Sequence, residues 1–319
     1  MSWQIVHVTH ESPEEEKQGV LRFWSGDYLW ATRLRLQAPW GDETYGFVGA
    51  FDGGRCVGTT SYTISRRGQG ILSQVFTDEA FRGQGIGTAT VREAVETFRR
   101  HGARAVYLAA WREWVREIYR KVGFVRVGTM GERHAFKLTL DPSGEDENLF
   151  RAGQRTQVRR MEAGDQADLS ALFNAGHPCV VKHYGLGCFL GSHFEGEFFT
   201  LRQQEGRPGF LAVALDGEET AVGFGTVMPS SRRHEGHTGI LDLLIHPHYA
   251  DMTDEVLKAL EKGCGLERLW VYVGDSEQEK RRVFERAGYR QVAWLERQVK
   301  IETDYYGLTL YEKAVNRGS

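Results

Sequence analysis

Apolar residues recur along this chain with two periods, and each change of period marks an element. Alternation from Trp3 to Val8 predicts an opening strand. Ser12-Pro-Glu-Glu-Glu then offers an N-cap, a first-turn proline and early carboxylates, so a helix is expected to begin near Ser12. Strands are expected over 45–51, 56–64 and 71–77, the first two joined by a hairpin turn at Asp52-Gly-Gly. Val91, Ala94, Val95 and Phe98 stand at i, i+3, i+4 and i+7, the spacing of one helical face. That helix should stop at Arg99-Arg-His-Gly102, where basic residues precede a capping glycine. A buried-type strand over 105–109 follows, then a helix running to Lys121 and stopping before Gly123-Phe124.

The second half repeats this grammar. Val256, Ala259, Leu260 and Gly263 show the same helical spacing, and a strand over 269–273 comes next. Phe284-Glu-Arg-Ala-Gly288-Tyr289 then echoes Tyr119-Arg-Lys-Val-Gly123-Phe124. Helix, strand and helix in the same order point to a tandem duplication. The acidic, Pro/Gly-containing run from Asp141 to Asn148 lies between the halves. The expected organisation is a domain over 1–142, a linker over 143–154 and a second domain over 155–319.

Composition narrows the function classes. At 319 residues, with 41% apolar and 26% charged side chains, each half can bury its own core. A net charge of −3 provides no footprint for nucleic acid. No apolar run approaches the roughly 20 residues that span a bilayer, and the N-terminus has no signal-peptide pattern. Cys56, Cys179, Cys188 and Cys264 are scattered without a C-x-x-C pair, which predicts free thiols and no zinc site. A soluble, cytoplasmic protein without a metal, a nucleic-acid partner or a membrane partner is expected. His246-Pro-His248 follows an apolar strand over 240–245, but carboxylates and thiols at ligand spacing are missing there, so His234, His237, His246 and His248 read as surface histidines.

The chemistry concentrates between Ile71 and Thr88. A strand runs into Arg82-Gly-Gln-Gly85-Ile-Gly87-Thr88, where a helix begins. Helix N-termini present unpaired amides and partial positive charge, and glycines let several amides point at one place. An arginine beside them completes a cradle for phosphate or pyrophosphate. The glycines miss the G-x-G-x-x-G dinucleotide spacing, and a Walker G-K-[ST] is absent.

R-x-x-G-x-G at a strand-to-helix junction, with Tyr119-x-x-x-Gly123-Phe124 downstream, resembles the GCN5-related N-acetyltransferase (GNAT) family. The resemblance implies an α/β fold: two tandem GNAT-like domains, each a mostly antiparallel sheet with a splayed strand pair flanked by helices. It implies acetyl-CoA, or another acyl-CoA, as co-substrate. Pantetheine would pair with the strand end at Val75, Phe76 and Thr77. Arg82, Gly83, Gln84, Gly85, Ile86, Gly87 and Thr88 would hold the pyrophosphate. Tyr119 takes the place of the tyrosine that protonates the departing thiolate. The glutamate some members carry in the strand is Ile71 here, which leaves Asp78, Glu79, Glu132, His134 or a water chain to remove the amine proton. Arg112 replaces an asparagine frequent in the family.

In the second half Ala250-Asp-Met-Thr-Asp-Glu255 stands where the arginine and glycines would fall, and Phe284 replaces the tyrosine. That half is expected to bind no CoA and to be catalytically dead. The activity expected of the chain is N-acylation of a small-molecule primary amine in a ternary complex. A protein lysine or N-terminal acetyltransferase, and a non-catalytic CoA-responsive scaffold, are the alternatives, and a homodimer is one arrangement it could take. Trp24, Tyr28, Trp30 and Trp40 would line an acceptor pocket or cap the core.

Overall fold

The computed structural model describes residues 3–110, 112–127, 135–190 and 193–315, which group into two units. The first takes in the described residues up to Val127, those over 135–149, and Glu162–Ala171. The second takes in Phe150–Met161 and the described residues from Leu172 onward.

The first unit runs β1 (Gln4–Val8), α1 (Glu14–Leu21), α2 (Gly26–Arg35), β2 (Thr44–Asp52), β3 (Arg55–Ile64), β4 (Gln69–Thr77), α3 (Ile86–Arg100), β5 (Ala105–Ala109), α4 (Glu113–Lys121), β6 (Val125–Arg126), β7 (Ala135–Thr139) and α5 (Asp146–Leu149). Its seven strands lie in the order β1-β2-β3-β4-β5-β7-β6. Every neighbouring pair is antiparallel except β4–β5, whose crossover is α3. The β2–β3 hairpin turns on Gly53 and Gly54, both at positive φ, the two-residue turn that matches strand twist. The α3 stripe Val91, Ala94, Val95 and Phe98 is buried on the sheet with Leu72, Val106 and Leu108. Burying an aromatic or branched side chain of this size contributes about 1.5–3 kcal/mol. Gly70 makes the close approach possible, since a Cβ there would stand 2.7 Å from the Phe98 ring.

Two expectations change. The first helix starts at Glu14, and Ser12 instead closes a turn: its hydroxyl accepts the Thr9 N–H and donates to the His7 carbonyl. Part of the stretch expected as linker is ordered structure of the first unit. A 3-10 turn, Pro142–Gly144, presses Gly144 against the Arg104 backbone, and α5 buries Leu149. Lys137, only 5% exposed, needs a counter-charge and finds it in Asp146 at 2.7 Å.

The second unit contains β8 (Gln157–Arg160), the end of α6 (Gln166–Asn174), β9 (Val181–His183), β10 (Cys188–Phe189), α7 (Glu197–Gln204), β11 (Leu211–Asp216), β12 (Ala221–Pro229), β13 (Thr238–Ile245), α8 (Thr253–Gly263), β14 (Arg268–Gly274), α9 (Gln278–Arg286), β15 (Arg290–Ile301) and β16 (Asp304–Ala314). Its sheet order, β15-β16-β14-β13-β12-β11-β8, matches the first sheet strand for strand, with β13–β14 as the parallel pair. α8 buries Val256, Leu257 and Leu260. The fold is α/β, two seven-stranded mixed sheets flanked by helices in tandem. Among the described residues no helix is long and apolar enough to cross a membrane.

Candidate active site

β4 and β5 pair in parallel only at Gln69–Ala105, Gly70–Val106 and Ile71–Tyr107. Beyond Ile71 they part, while β3 follows β4 to Thr77. Among the described residues no strand pairs with the freed edge of β4. The Asp78 N–H bonds the Val57 carbonyl at 2.8 Å, and the Cα of Thr77 stands opposite Gly58. Because backbone groups alternate between the edges of a strand, Thr77 and, two residues earlier, Val75 turn their N–H and C=O toward the gap. Phe76 turns its backbone to β3, and its ring lies 4.7 Å from Phe23 and 6.3 Å from Trp24. The ladder also slips by one residue between the Thr59–Phe76 and Ser61–Ser73 pairs, so β4 bulges at Gln74 and Val75.

From β4 the chain passes through a single 3-10 turn, Glu79–Phe81, to Arg82 and the glycines. Gly83 and Gly85 both have φ of 79°, the left-handed region that L side chains avoid. Gly85 is the N-cap of α3. A Cβ at either would meet nothing within 4 Å, so the backbone turn requires these glycines and the space before them is open. Ile86 is buried, and Gly87 lies 3.4 Å (from a Cβ built there) from the Thr77 hydroxyl and 3.9 Å from the Ile118 side chain. The first turn of α3 is thereby set against the end of β4 and against α4. It carries no acidic residue. Its amides, lacking acceptors inside the helix, make it a positive terminus. Gln84 is exposed and Thr88 half-buried in that turn. Arg82 is exposed and pairs with Glu79 at 3.1 Å, an exposed contact a phosphate can displace.

Tyr119, 4% exposed, sits in the last turn of α4. Gly123 (φ 98°) ends the helix, with the Phe124 N–H on the Tyr119 carbonyl and the Gly123 N–H on that of Arg120, both 3.1 Å. This is a Schellman ending, with the Tyr119–Phe124 ring contact at 5.9 Å as its apolar closure. The second unit builds the same ending from Phe284, Gly288 (φ 88°) and Tyr289, rings 5.1 Å apart. An aromatic ring at this position therefore serves the helix ending in both units, with or without a hydroxyl.

Of the residues considered as proton acceptors, Glu132 and His134 lie outside the described residues. Asp78 is held by Arg22 at 2.7 Å and Arg55 at 2.8 Å. The hydrogen bond from Arg55 leads the causes that keep its carboxyl below the usual range, which makes it a poor base. The aromatic group divides: Trp24 faces Phe76 at the end of β4, whereas Trp40 is buried, lies 5.9 Å from Trp30 and stacks on Arg35. His246 is a correction to the surface reading. It is 8% exposed, stacks on Phe150 at 4.5 Å and accepts the His248 N–H. Among the described residues no group of three His, Cys, Asp or Glu is placed to hold a metal, and all four cysteines are free.

The second unit treats its equivalent gap differently. β13 leaves β14 after Ile240–Trp270, as β4 leaves β5. α8 begins at Met252–Thr253 with right-handed backbone, no glycine, and Asp254 and Glu255 in its first turn. β9 lies against both β13 and β14. The Asp242 carboxylate of β13 accepts the N–H groups of Tyr184 and Gly185 at 3.0 and 3.1 Å. The Tyr184 ring stacks on Tyr272 of β14 at 3.7 Å. Glu277, capping α9, accepts the N–H groups of Val180 and Val181. The chain's own segment 180–185 thus bridges the diverging strands. Periodicity could not reveal this, because the segment is short and its partners are isolated side chains far along the sequence.

The model of the acetyltransferase (GNAT) family matches residues 8–124. No curated protein matches the chain in sequence. Among solved structures, a GNAT-family acetyltransferase from Streptococcus pneumoniae is similar at 20% identity over 51% of this chain and 100% of its own, with a TM-score of 0.42. An N-acetyltransferase from Staphylococcus aureus Mu50 is similar at 13% identity over 51% and 99%, TM-score 0.42. A GNAT-superfamily phosphinothricin acetyltransferase from Sinorhizobium meliloti, in complex with acetyl-CoA, is similar at 12% over 51% and 90%, TM-score 0.42.

Proposed function

Residues 8–124 are a domain of the GNAT acetyltransferase family, and from that premise we propose that the first unit transfers an acyl group, acetyl in the simplest case, from acyl-CoA to the primary amine of a small molecule. The observation that carries the reading is the glycine-capped N-terminus of α3 standing beside the freed edge of β4. Two left-handed glycines with open space before them, a first turn free of acids and an exposed arginine suit a pyrophosphate. The amides of Gly83 to Thr88 and the Arg82 guanidinium would hold it. Val75 and Thr77 would pair with the pantetheine arm through their backbone groups.

Bound acyl-CoA supplies a thioester carbonyl that an amine can attack directly. This chain's part is to hold both reactants together, to aim an N–H at the carbonyl oxygen, and to move two protons. The Tyr119 phenol gives its proton to the leaving sulfur. With reference values near 10 for a phenol and 8.5 for a thiol, that transfer is uphill and needs a fixed phenol, which the Schellman ending provides. With Asp78 committed to two arginines, a water chain or the exposed Glu79 carboxylate is left among the described residues to carry the amine proton away. The second unit, lacking the cradle and with segment 180–185 across its gap, takes no acyl-CoA on this reading. Four free thiols suit a reducing, cytoplasmic setting.

Calorimetric titration of acetyl-CoA tests the reading, with one site per chain expected, followed by a panel of small amines assayed for thiol release. Absence of binding to the wild type would remove its basis.

A further inference from the structure

Gln74 is the one non-glycine residue of the first unit with positive φ among those described, at 50°. Such backbone is uncommon for glutamine and costs on the order of 1 kcal/mol, so it persists where its surroundings impose it. Here they do so from three sides. The Thr59 hydroxyl donates to the Gln74 carbonyl at 3.0 Å. The side-chain amide donates to the Thr32 hydroxyl of α2 at 3.0 Å, and its oxygen accepts the Tyr45 phenol of β2 at 3.2 Å. Tyr45 also reaches Thr32, at 3.2 Å, so the three side chains form one closed network.

The bulge so fixed sits immediately before Val75, where β4 has lost β5. The fold does not require it. The second unit has the same strand order, yet β12 and β13 pair without a slip from Gly223–Ile245 to Pro229–Gly239. Bulge and glycine cradle are both present in one unit and both lacking in the other. An extra residue in a strand reverses which edge its neighbours' backbone groups face. Carried on from the Ser61–Ser73 pair without the slip, alternation would set Val75 opposite Thr59 with its amide turned to β3 instead of the gap.

We infer that Gln74 is a positioning residue for acyl transfer: tied to Thr32 and Tyr45, it holds the left-handed bulge that aims the Val75 N–H at the thioester carbonyl oxygen. This rests on the function proposed above. Thr32 belongs to α2, so the same network links the carbonyl donor to the helical layer on that face of the sheet.

The test needs no knowledge of the acceptor. Acetyl-CoA labelled with 13C at the carbonyl is bound to the wild type, Gln74→Val and Gln74→Gly, and its carbonyl stretch is recorded by infrared difference. A hydrogen bond to the carbonyl moves the stretch to lower frequency. In the wild type the downshift should be present. In Gln74→Val, whose branched side chain resists positive φ, it should be lost, with kcat on any amine found active reduced by about 10–100-fold. Affinity for acetyl-CoA should stay within about threefold in both variants, because the pyrophosphate is held by α3. Gln74→Gly, free to keep the bulge without its tether, should retain part of the downshift. Melting curves confirm that each variant is folded. A full downshift in folded Gln74→Val overturns the inference while leaving the acyltransferase reading intact. Failure of the wild type to bind acetyl-CoA overturns the reading and the inference with it.

Discussion

Gly85 offers the sharpest test of the cradle, because substitution there separates charge from shape. It caps α3 with φ 79° and ψ 1°, and a built Cβ meets no atom within 4 Å. An aspartate placed there is strained by about 1–2 kcal/mol. A carboxylate at a helix N-terminus recovers part of that cost, so the fold should survive. Toward the ligand the effect is opposite. With roughly 5 Å between the new carboxylate and each of two phosphate charges, and an effective dielectric of about 40, repulsion amounts to about 3 kcal/mol. That converts to somewhat more than a hundredfold in Kd. Asparagine has nearly the same shape, tolerates the left-handed region and carries no charge, so Gly85→Asn should stay within about tenfold of wild type. Calorimetric titration of acetyl-CoA into the three proteins reads the difference, and raised salt should narrow the gap between Asp and Asn. Wild-type affinity in folded Gly85→Asp would refute the cradle. Equal losses in both variants would show that bulk, and not charge, decides.

Three further outcomes follow from the geometry. Tyr119→Phe should fold normally, as Phe284 does at the equivalent helix end, and bind acetyl-CoA unchanged while kcat falls by about 10–100-fold; an unchanged kcat would leave Tyr119 a packing residue. Gly123→Ala forces a Cβ into backbone at φ 98°, 3.2 Å from Leu138, and should cost about 1–2 kcal/mol, read as a lowered Tm; an unmoved Tm would mean that the helix ending is not as described. Burial, opposed by the bond from its ring N–H to the Leu172 carbonyl, holds His177 at about 4 against 6.5 when exposed. The unfolded chain therefore takes up the proton first as pH falls, and stability that is full above 6.5 drains toward pH 4. The loss is about 2 kcal/mol by pH 5. Urea unfolding at pH 7 and pH 5 should show this drop in the wild type and lose most of it in His177→Gln, and equal drops would contradict the assignment.

The sequence reveals most where punctuation and periodicity agree. The ends of β5 and α4 stand where glycine and the apolar spacing place them, and α3 begins and ends at its glycines. β4 begins two residues before its apolar run because Gln69, fully buried in the sheet, breaks the pattern without breaking the strand. β6 and β7 carry no comparable signal: the one is two residues long, and the other places Lys137 in a buried position that only Asp146 makes acceptable. The cradle glycines were legible because they require a backbone conformation that few other residues adopt. The bulge at Gln74 was not, since a polar residue in a strand says nothing of register. His246 misled for a related reason, because a histidine's burial depends on the face of Phe150, which lies about a hundred positions away.

The segment that crosses the second gap has a consequence for how the two halves breathe. In that half the diverging strands are bridged by the chain itself, so the amides of Tyr184 and Gly185, bonded to a buried carboxylate, should exchange their hydrogens slowly. In the first half the edge of β4 from Ser73 to Thr77 has no such permanent companion strand among the described residues. On the function proposed above, the protection of its outward-facing Val75 and Thr77 amides would be set by the ligand. One copy of the duplicated scaffold keeps its lining built in, and on the function proposed above the other would take it on and give it up with each turnover.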